Sequence, residues 1–320
     1  MDNPLTSVIV TTYNSAEFIL ETLESVKAQT YQNIELIVSD DASVDNTLSL
    51  ARKWISENTD RFVRTDVITV PHNTGVSANC NRCIAASRAD WIKFIAGDDI
   101  LLPNCIEDNM RFVERYTEAR VLFSYVRMYR NRFTEENFLK TVPGTYPMNI
   151  MNPNFTAADQ FKLLLLSDRV NFTPSYFFRK DAVLSVDGYD EANRVVEDYP
   201  MWLKLTHAGH RLYFMEQSTV GYRQHDRASN NKISLSLYNP LLLKLYGFRK
   251  QFVHPYLPWD LVGAEKVTMN ITLLFEKMGW NRSTSFLQGL YKFFTVYINP
   301  FRYLIFLKKR MGVNSVFYRN

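Results

Sequence analysis

Gly97-Asp98-Asp99 follows the apolar run Trp91-Ile92-Lys93-Phe94-Ile95 and is the strongest local chemical feature of this 320-residue chain. Two adjacent carboxylates repel one another unless a cation or hydroxyl groups satisfy them. A hard cation such as Mg²⁺ or Mn²⁺ suits one or two carboxylates acting together with diphosphate oxygens. A second acidic run, Asp40-Asp41-Ala42-Ser43-Val44-Asp45, closes another apolar stretch. Asp45 or Asn46 reads there as a helix cap, which leaves Asp40 and Asp41 without a structural reason. Thr12-Tyr13-Asn14 ends the first apolar run, where an aromatic ring could stack on a base. Further along, Glu197-Asp198 opens a helix, a position the macrodipole favours for acids even without catalysis.

The elements that position these residues alternate. Apolar, β-branched runs at 7–12, 34–39, 66–70, 91–95 and 120–126 predict five strands. Between them fall helices, the first capped by Ser15 with Phe18, Ile19, Leu23 and Val26 on one face. Others open at Asp45 or Asn46 and lie near 77–88 and 104–116. This β-α-β-α order predicts an α/β fold with a mostly parallel sheet flanked by helices. Ligands on such sheets bind beyond the carboxyl ends of the strands, where the polar residues above sit. A short strand at 176–178 and a helix over 197–208 follow. Beyond about residue 230 the pattern is helical, broken at Pro240, His254-Pro255, Gly279 and Asn299-Pro300.

Taken in order, these blocks resemble glycosyltransferase family 2, whose fold is the Rossmann-like GT-A type. The resemblance runs from SVIVTTYN (7–14) through ELIVSDDASVDNT (35–47), HNTGVSANCNRCI (72–84) and ADWIKFIAGDDILLP (89–103). It continues through PSYFFRKDAV, GYDE and EDYPMWLKL (197–205) to YRQH (222–225). It implies a catalytic domain over 1–230, with a nucleotide-binding half at 1–126 and an acceptor half at 127–230. Residues 231–320 then form a helical, basic and aromatic C-terminal extension. It also implies an inverting hexosyltransferase that moves a sugar from a nucleotide diphosphate donor, a UDP-sugar, to a hydroxyl of a saccharide or polyprenyl-linked saccharide.

The site residues follow from the same resemblance. Thr12 and Tyr13 line the base pocket, and Asp41 accepts a uracil N–H. Asp98 contacts the ribose, and Asp99 holds the divalent metal, Mn²⁺ or Mg²⁺, with His225 as a further ligand. Asp198 is the general base, and Glu197 and Trp202 belong to the acceptor side. Cys80 stands where the family usually carries an arginine facing the donor phosphates, so Arg82 or Arg223 is expected to neutralise them. A sugar nucleotidyltransferase would favour a Gly-rich, basic loop after the first strand, and Thr12-Tyr13-Asn14-Ser15-Ala16 has neither Gly nor Lys. A non-catalytic, scaffold-like domain would favour loss of Asp99 or Asp198, and both are present.

Composition agrees with a globular protein, at 46% hydrophobic and 22% charged residues. Three cysteines, Cys80, Cys83 and Cys105, make no disulfide framework, and a reduced, packed set is expected. No secretory leader opens the sequence, so a cytoplasmic location is expected. From Lys277 onward there are eight Lys or Arg and no Asp or Glu, so the preceding 276 residues carry −4 of the chain's net +4. A basic, aromatic tail on an acidic body points to a membrane surface rather than nucleic acid. The run 286–311 is interrupted by Lys292, Asn299-Pro300 and Arg302 and is not expected to span a bilayer. It reads either as a peripheral contact with anionic lipid at the inner face of the membrane or as packing against protein, including a homodimer partner.

Overall fold

Seven consecutive residues, 6–12, pair with seven others, 34–40, in unbroken parallel register. Both strands are almost wholly buried, as expected where helices cover both faces of a sheet. The computed structural model describes residues 3–144, 149–192, 196–225, 236–238, 241–313 and 315–318. Its strands are β1 (Thr6–Thr12), β2 (Ile34–Asp40), β3 (Arg64–Thr69), β4 (Trp91–Ala96), β5 (Ile100–Leu101), β6 (Val121–Arg130), β7 (Phe138–Val142), β8 (Phe177–Arg179) and β9 (Leu212–Gln224). They form one sheet in the order β3-β2-β1-β4-β8-β6-β9-β5, with β7 beside β6. The four longest ladders, β1–β2, β1–β4, β2–β3 and β6–β9, are parallel. The shorter ones, including both made by β8, are antiparallel. This is the mixed α/β sheet of a GT-A domain.

Among the described residues the helices are α1 (Ile19–Lys27), α2 (Thr47–Glu57), α3 (Val76–Ala86), α4 (Cys105–Arg115), α5 (Ala157–Leu166), α6 (Lys180–Leu184) and α7 (Asp198–His207), followed by α8 (Leu241–Phe252), α9 (Trp259–Lys277), α10 (Ser285–Lys292) and α11 (Pro300–Arg310). On α1 the residues Ile19, Leu23 and Val26 are buried, as their spacing predicts. Ser15 does not cap this helix. Its carbonyl accepts the amides of Phe18 and Ile19 at 2.9 Å, so a turn precedes the helix, which begins later. Asp45 does serve the start of α2, accepting Thr47 N at 3.0 Å. All three cysteines are free and buried.

The chain divides into two compact units, residues 1–164 with 168–225, and residues 165–167 with 226–320. The boundary expected between residues 230 and 231 lies outside the described residues. In the second unit α11 lies on α9. A Cβ on Gly263 would stand 2.6 Å from the Phe301 ring, so glycine is what lets the two helices approach. Asn299 opens α11, accepting Phe301 N at 3.2 Å and donating to Ala264 O at 3.1 Å, with Pro300 at the first helical position. Buried Asp260 accepts from Lys308 Nζ and the Tyr318 hydroxyl, both at 2.8 Å. Among the described residues no helix is long and apolar enough to cross a membrane.

Candidate active site

The carboxyl ends of β1, β2 and β4 lie side by side. Thr12 pairs with Asp40, and Thr11 pairs with Ala96. Asp41 N donates to Thr12 O and Gly97 N to Thr11 O, both at 2.9 Å, so the acidic turns leave the sheet at one edge. Gly97 crosses directly over Thr12. A Cβ there would meet Thr12 Oγ1 at 2.7 Å and Thr12 Cβ at 3.0 Å. The Thr12 hydroxyl itself is buried without a hydrogen-bond partner among the described residues, while the next side chain, Tyr13, is 48% exposed.

The acids at this edge do different work. Asp40 caps its own turn, accepting Ser43 N at 2.9 Å. Asp41 holds the loop before α3. It accepts Thr74 N at 3.0 Å, Thr74 Oγ1 at 2.6 Å, Gly75 N at 2.8 Å and Arg82 Nη2 at 3.2 Å. Burial alone would raise its carboxyl, but these donors outweigh burial and hold it below the usual carboxylate range. Gly75 has φ +89°, a left-handed conformation that only glycine adopts at low cost.

Asp98 and Asp99 face apart. Asp99 is 2% exposed, and its Oδ1 accepts Arg223 N at 2.8 Å. Burial and the neighbouring Asp98 charge push its carboxyl well above the usual range, opposed by Arg223 and Lys93. Asp98 has a side chain one-third exposed, and its Oδ2 lies 3.1 Å from His225 Nε2. Arg223 is 2% exposed and fully engaged. Its Nε donates to Asp98 O at 2.8 Å, its other nitrogens reach Asn131 O and the Glu21 carboxylate, and its guanidinium lies between the Phe18 and Phe133 rings. Phe18 also packs on the His225 ring, with centroids 4.9 Å apart.

Glu197 and Asp198 stand at the start of α7. Burial, then the Glu197 charge and hydrogen bond, push the Asp198 carboxyl well above the usual range, and a hydrogen bond from Thr173 opposes them. The charge of Asp198 is also felt at Cys80 on α3 and at Tyr176 and Tyr189, whose hydroxyls meet at 2.9 Å. Asn81, the next residue on α3, accepts Tyr189 N at 2.8 Å and donates to Tyr189 O at 2.9 Å. Contacts therefore run from His225 through Asp98, Gly97, Thr12 and Asp41 to α3, while Asp198 reaches α3 only through its charge on Cys80. Beneath them Lys93, fully buried on β4, donates to Pro174 O at 2.6 Å and Tyr176 O at 3.2 Å. Burial lowers its ammonium to about 8. It pins the segment that carries Thr173.

Residues 7–183, more than half of the chain, match the glycosyl transferase family 2 domain. The chain belongs to glycosyltransferase family 2. It is similar to EpsE of Bacillus subtilis, at 26% identity over 75% of this chain and 81% of EpsE. It is also similar to WfaP of Escherichia coli, a UDP-Glc:alpha-D-GlcNAc-diphosphoundecaprenol beta-1,3-glucosyltransferase, at 27% identity over 77% of this chain and 88% of WfaP. Among solved structures, S. aureus TarS 1–349 with UDP-GlcNAc matches 88% of this chain and 74% of TarS 1–349, with TM-score 0.56 and 19% identity. The longer TarS structure is matched over only 36% of its own length. The mannosyltransferase PcManGT of Pyrobaculum calidifontis, in complex with GDP-Man and Mn²⁺, matches 98% of this chain at TM-score 0.52 and 12% identity. These structural matches speak for the fold. As a family 2 enzyme the chain is a glycosyltransferase, which removes the nucleotidyltransferase and scaffold alternatives.

Several of the expected residues have surroundings that the sequence did not suggest. Trp202 does not form an acceptor wall. It is 1% exposed and packs edge-on against Phe123 and Tyr176 at 4.9 and 5.5 Å. Arg223, expected at the donor phosphates, has a protein acceptor at each guanidinium nitrogen. Arg82 turns onto Asp41, Thr74 and Asn79 rather than standing in for an arginine at Cys80. Asp99 lies behind the edge, and Asp98 is the acid that meets His225. Phe18, Glu21, Thr173 and Lys93 went unrecognised. Phe18 read only as part of an apolar stripe, and the others carried no spacing that set them apart.

Proposed function

We propose that this enzyme transfers a sugar, with inversion, from a UDP-sugar to a hydroxyl of a saccharide carried on a polyprenyl diphosphate, in the assembly of a bacterial surface polysaccharide. The reading is supported by the Asp98–His225 pair at the carboxyl edge of β1, β2 and β4, and by Asp198 at the start of α7, whose carboxyl burial raises. The donor and acceptor classes take support from WfaP, whose name gives UDP-Glc and a diphosphoundecaprenol-linked GlcNAc, and from TarS in complex with UDP-GlcNAc.

Among the described residues no three His, Cys, Asp or Glu side chains group as a metal site. The pair at hand still fits a divalent cation that takes its remaining ligands from diphosphate and water, since a carboxylate and an imidazole are both ligands of Mn²⁺-like ions. Asp98 and His225 would hold Mn²⁺ or Mg²⁺, which would neutralise charge developing on the leaving diphosphate. Asp99 and Arg223 position these two from behind. Tyr13, exposed at the end of β1, offers a face to the base. Asp198 takes the proton of the acceptor hydroxyl, and its raised carboxyl makes it a stronger base than an ordinary aspartate. Among the described residues we identify no second carboxylate in the role of nucleophile, so direct displacement with inversion is the simpler route.

The test measures UDP binding by calorimetry and transfer from radiolabelled UDP-sugars to a lipid-linked acceptor. Asp198→Asn should lower turnover by roughly 10²- to 10⁴-fold with UDP affinity kept. Asp98→Ala should abolish the gain in UDP affinity that Mn²⁺ gives. Near-normal turnover in the first variant, or a wild type whose UDP affinity ignores Mn²⁺ and Mg²⁺, would overturn the assignment.

A further inference from the structure

Helix α11 sorts its side chains into two faces. Phe301 and Lys308, seven residues apart, point at α9, where the ring covers Gly263 and the ammonium reaches Asp260. The opposite face carries Arg302, Tyr303, Phe306, Lys309 and Arg310, all exposed, and Met311 follows them. Positions 302, 306, 309 and 310, or 303, 306 and 310, recur at three- and four-residue steps, so they form one stripe. Tyr303, Phe306 and Met311 are 64%, 53% and 79% exposed. The three cations on this stripe have no ion pair among the described residues, unlike Lys308 on the inner face. The sequence adds no acid anywhere after Glu276.

We propose that this face of α11 docks on the surface of an anionic lipid bilayer. Its rings enter the headgroup region, and Arg302, Lys309 and Arg310 meet lipid phosphates. An interfacial helix needs apolar groups on the buried side and cations level with the headgroups, and this stripe interleaves both. A bilayer is favoured as the occupant by charge, since an anionic surface complements three unpaired cations, while an identical helix of a second copy would set like charges against each other. None of these residues belongs to the Asp98–His225 pair or to Asp198, so the face is tested separately from the transferase reading.

The full-length protein is sedimented with vesicles of phosphatidylcholine alone and of phosphatidylcholine mixed with phosphatidylglycerol. Wild type should bind the mixed vesicles and not the neutral ones, and binding should weaken as salt rises. Arg302→Glu/Lys309→Glu/Arg310→Glu should lower partitioning on the order of 100-fold, from about a factor of five per basic residue near an anionic surface. Tyr303→Ser/Phe306→Ser should lower it as well, while both variants keep the wild-type melting temperature and UDP affinity. Failure of wild type to bind mixed vesicles, equal binding to neutral ones, or undiminished binding by either folded variant overturns the proposal. So does a concentration-dependent dimer that these same substitutions dissolve.

Discussion

Replacing Asp41 with Asn keeps its shape and removes its charge, and the consequences can be worked out from its partners. The carboxylate accepts the Thr74 and Gly75 amides, the Thr74 hydroxyl and Arg82. The amide can accept at one oxygen only and turns an NH₂ group toward the remaining donors. Hydrogen bonds to a charged group contribute about 1.5–3 kcal/mol each, and leaving a buried charge unpaired costs about 3–5 kcal/mol. Arg82 is partly solvated and its share is discounted, which leaves about 3–4 kcal/mol. For a domain of this size that lowers the melting temperature by roughly 6–15 °C. The carboxyl of Asp41 titrates lower in the folded than in the unfolded protein. Its stabilisation is therefore fully present above the unfolded value and lost as pH falls through the folded one. Melting followed by circular dichroism across neutral to acidic pH should show a gap between wild type and Asp41→Asn that closes toward the acid end. A gap below about 2 °C at neutral pH, or one that ignores pH, would refute Asp41 as the holder of the loop.

Removing the charge that helps raise Asp198 should lower its carboxyl, so Glu197→Gln should move the acid limb of the turnover–pH profile to lower pH; an unmoved or raised limb contradicts the coupling. Gly97→Ala drives a methyl group against Thr12 and should cost about 1–3 kcal/mol in thermal unfolding, together with an UDP affinity lower by about tenfold. Trp202→Phe should leave the KM for acceptor unchanged, since the indole is buried and its N–H has no partner among the described residues; a several-fold rise in KM would restore its acceptor role.

The parallel half of the sheet was legible because β1, β2 and β4 are short runs rich in β-branched and other apolar residues that end in polar turns. β9 was not expected. Its 13 residues include Glu216, Gln217 and Ser218, and the register against β6 shifts at that point, so no alternation survives to be read. The site was legible as a set of positions but less so as roles. Strand alternation ends at Gly97, and nothing in two neighbouring aspartates says which one turns outward. Arg223 has the charge a phosphate ligand needs, yet its partners Glu21 and Asn131 are remote in sequence. Trp202 shares a helical spacing with Asp198. However, α7 is buried on nearly every side, from Tyr199 to Thr206, and periodicity cannot single out one face of such a helix.

The three-residue strand β8 has an effect out of proportion to its length. By pairing with β4 on one side and β6 on the other, it fuses what could have been two lobes into a single hydrogen-bonded ribbon. Across the described strands the hydrogen bonding is continuous from β3 to β5. Opening and closing during a catalytic cycle must then fall to the turns beyond the strand ends, while amide protons across the whole ribbon should exchange with solvent as one slow population.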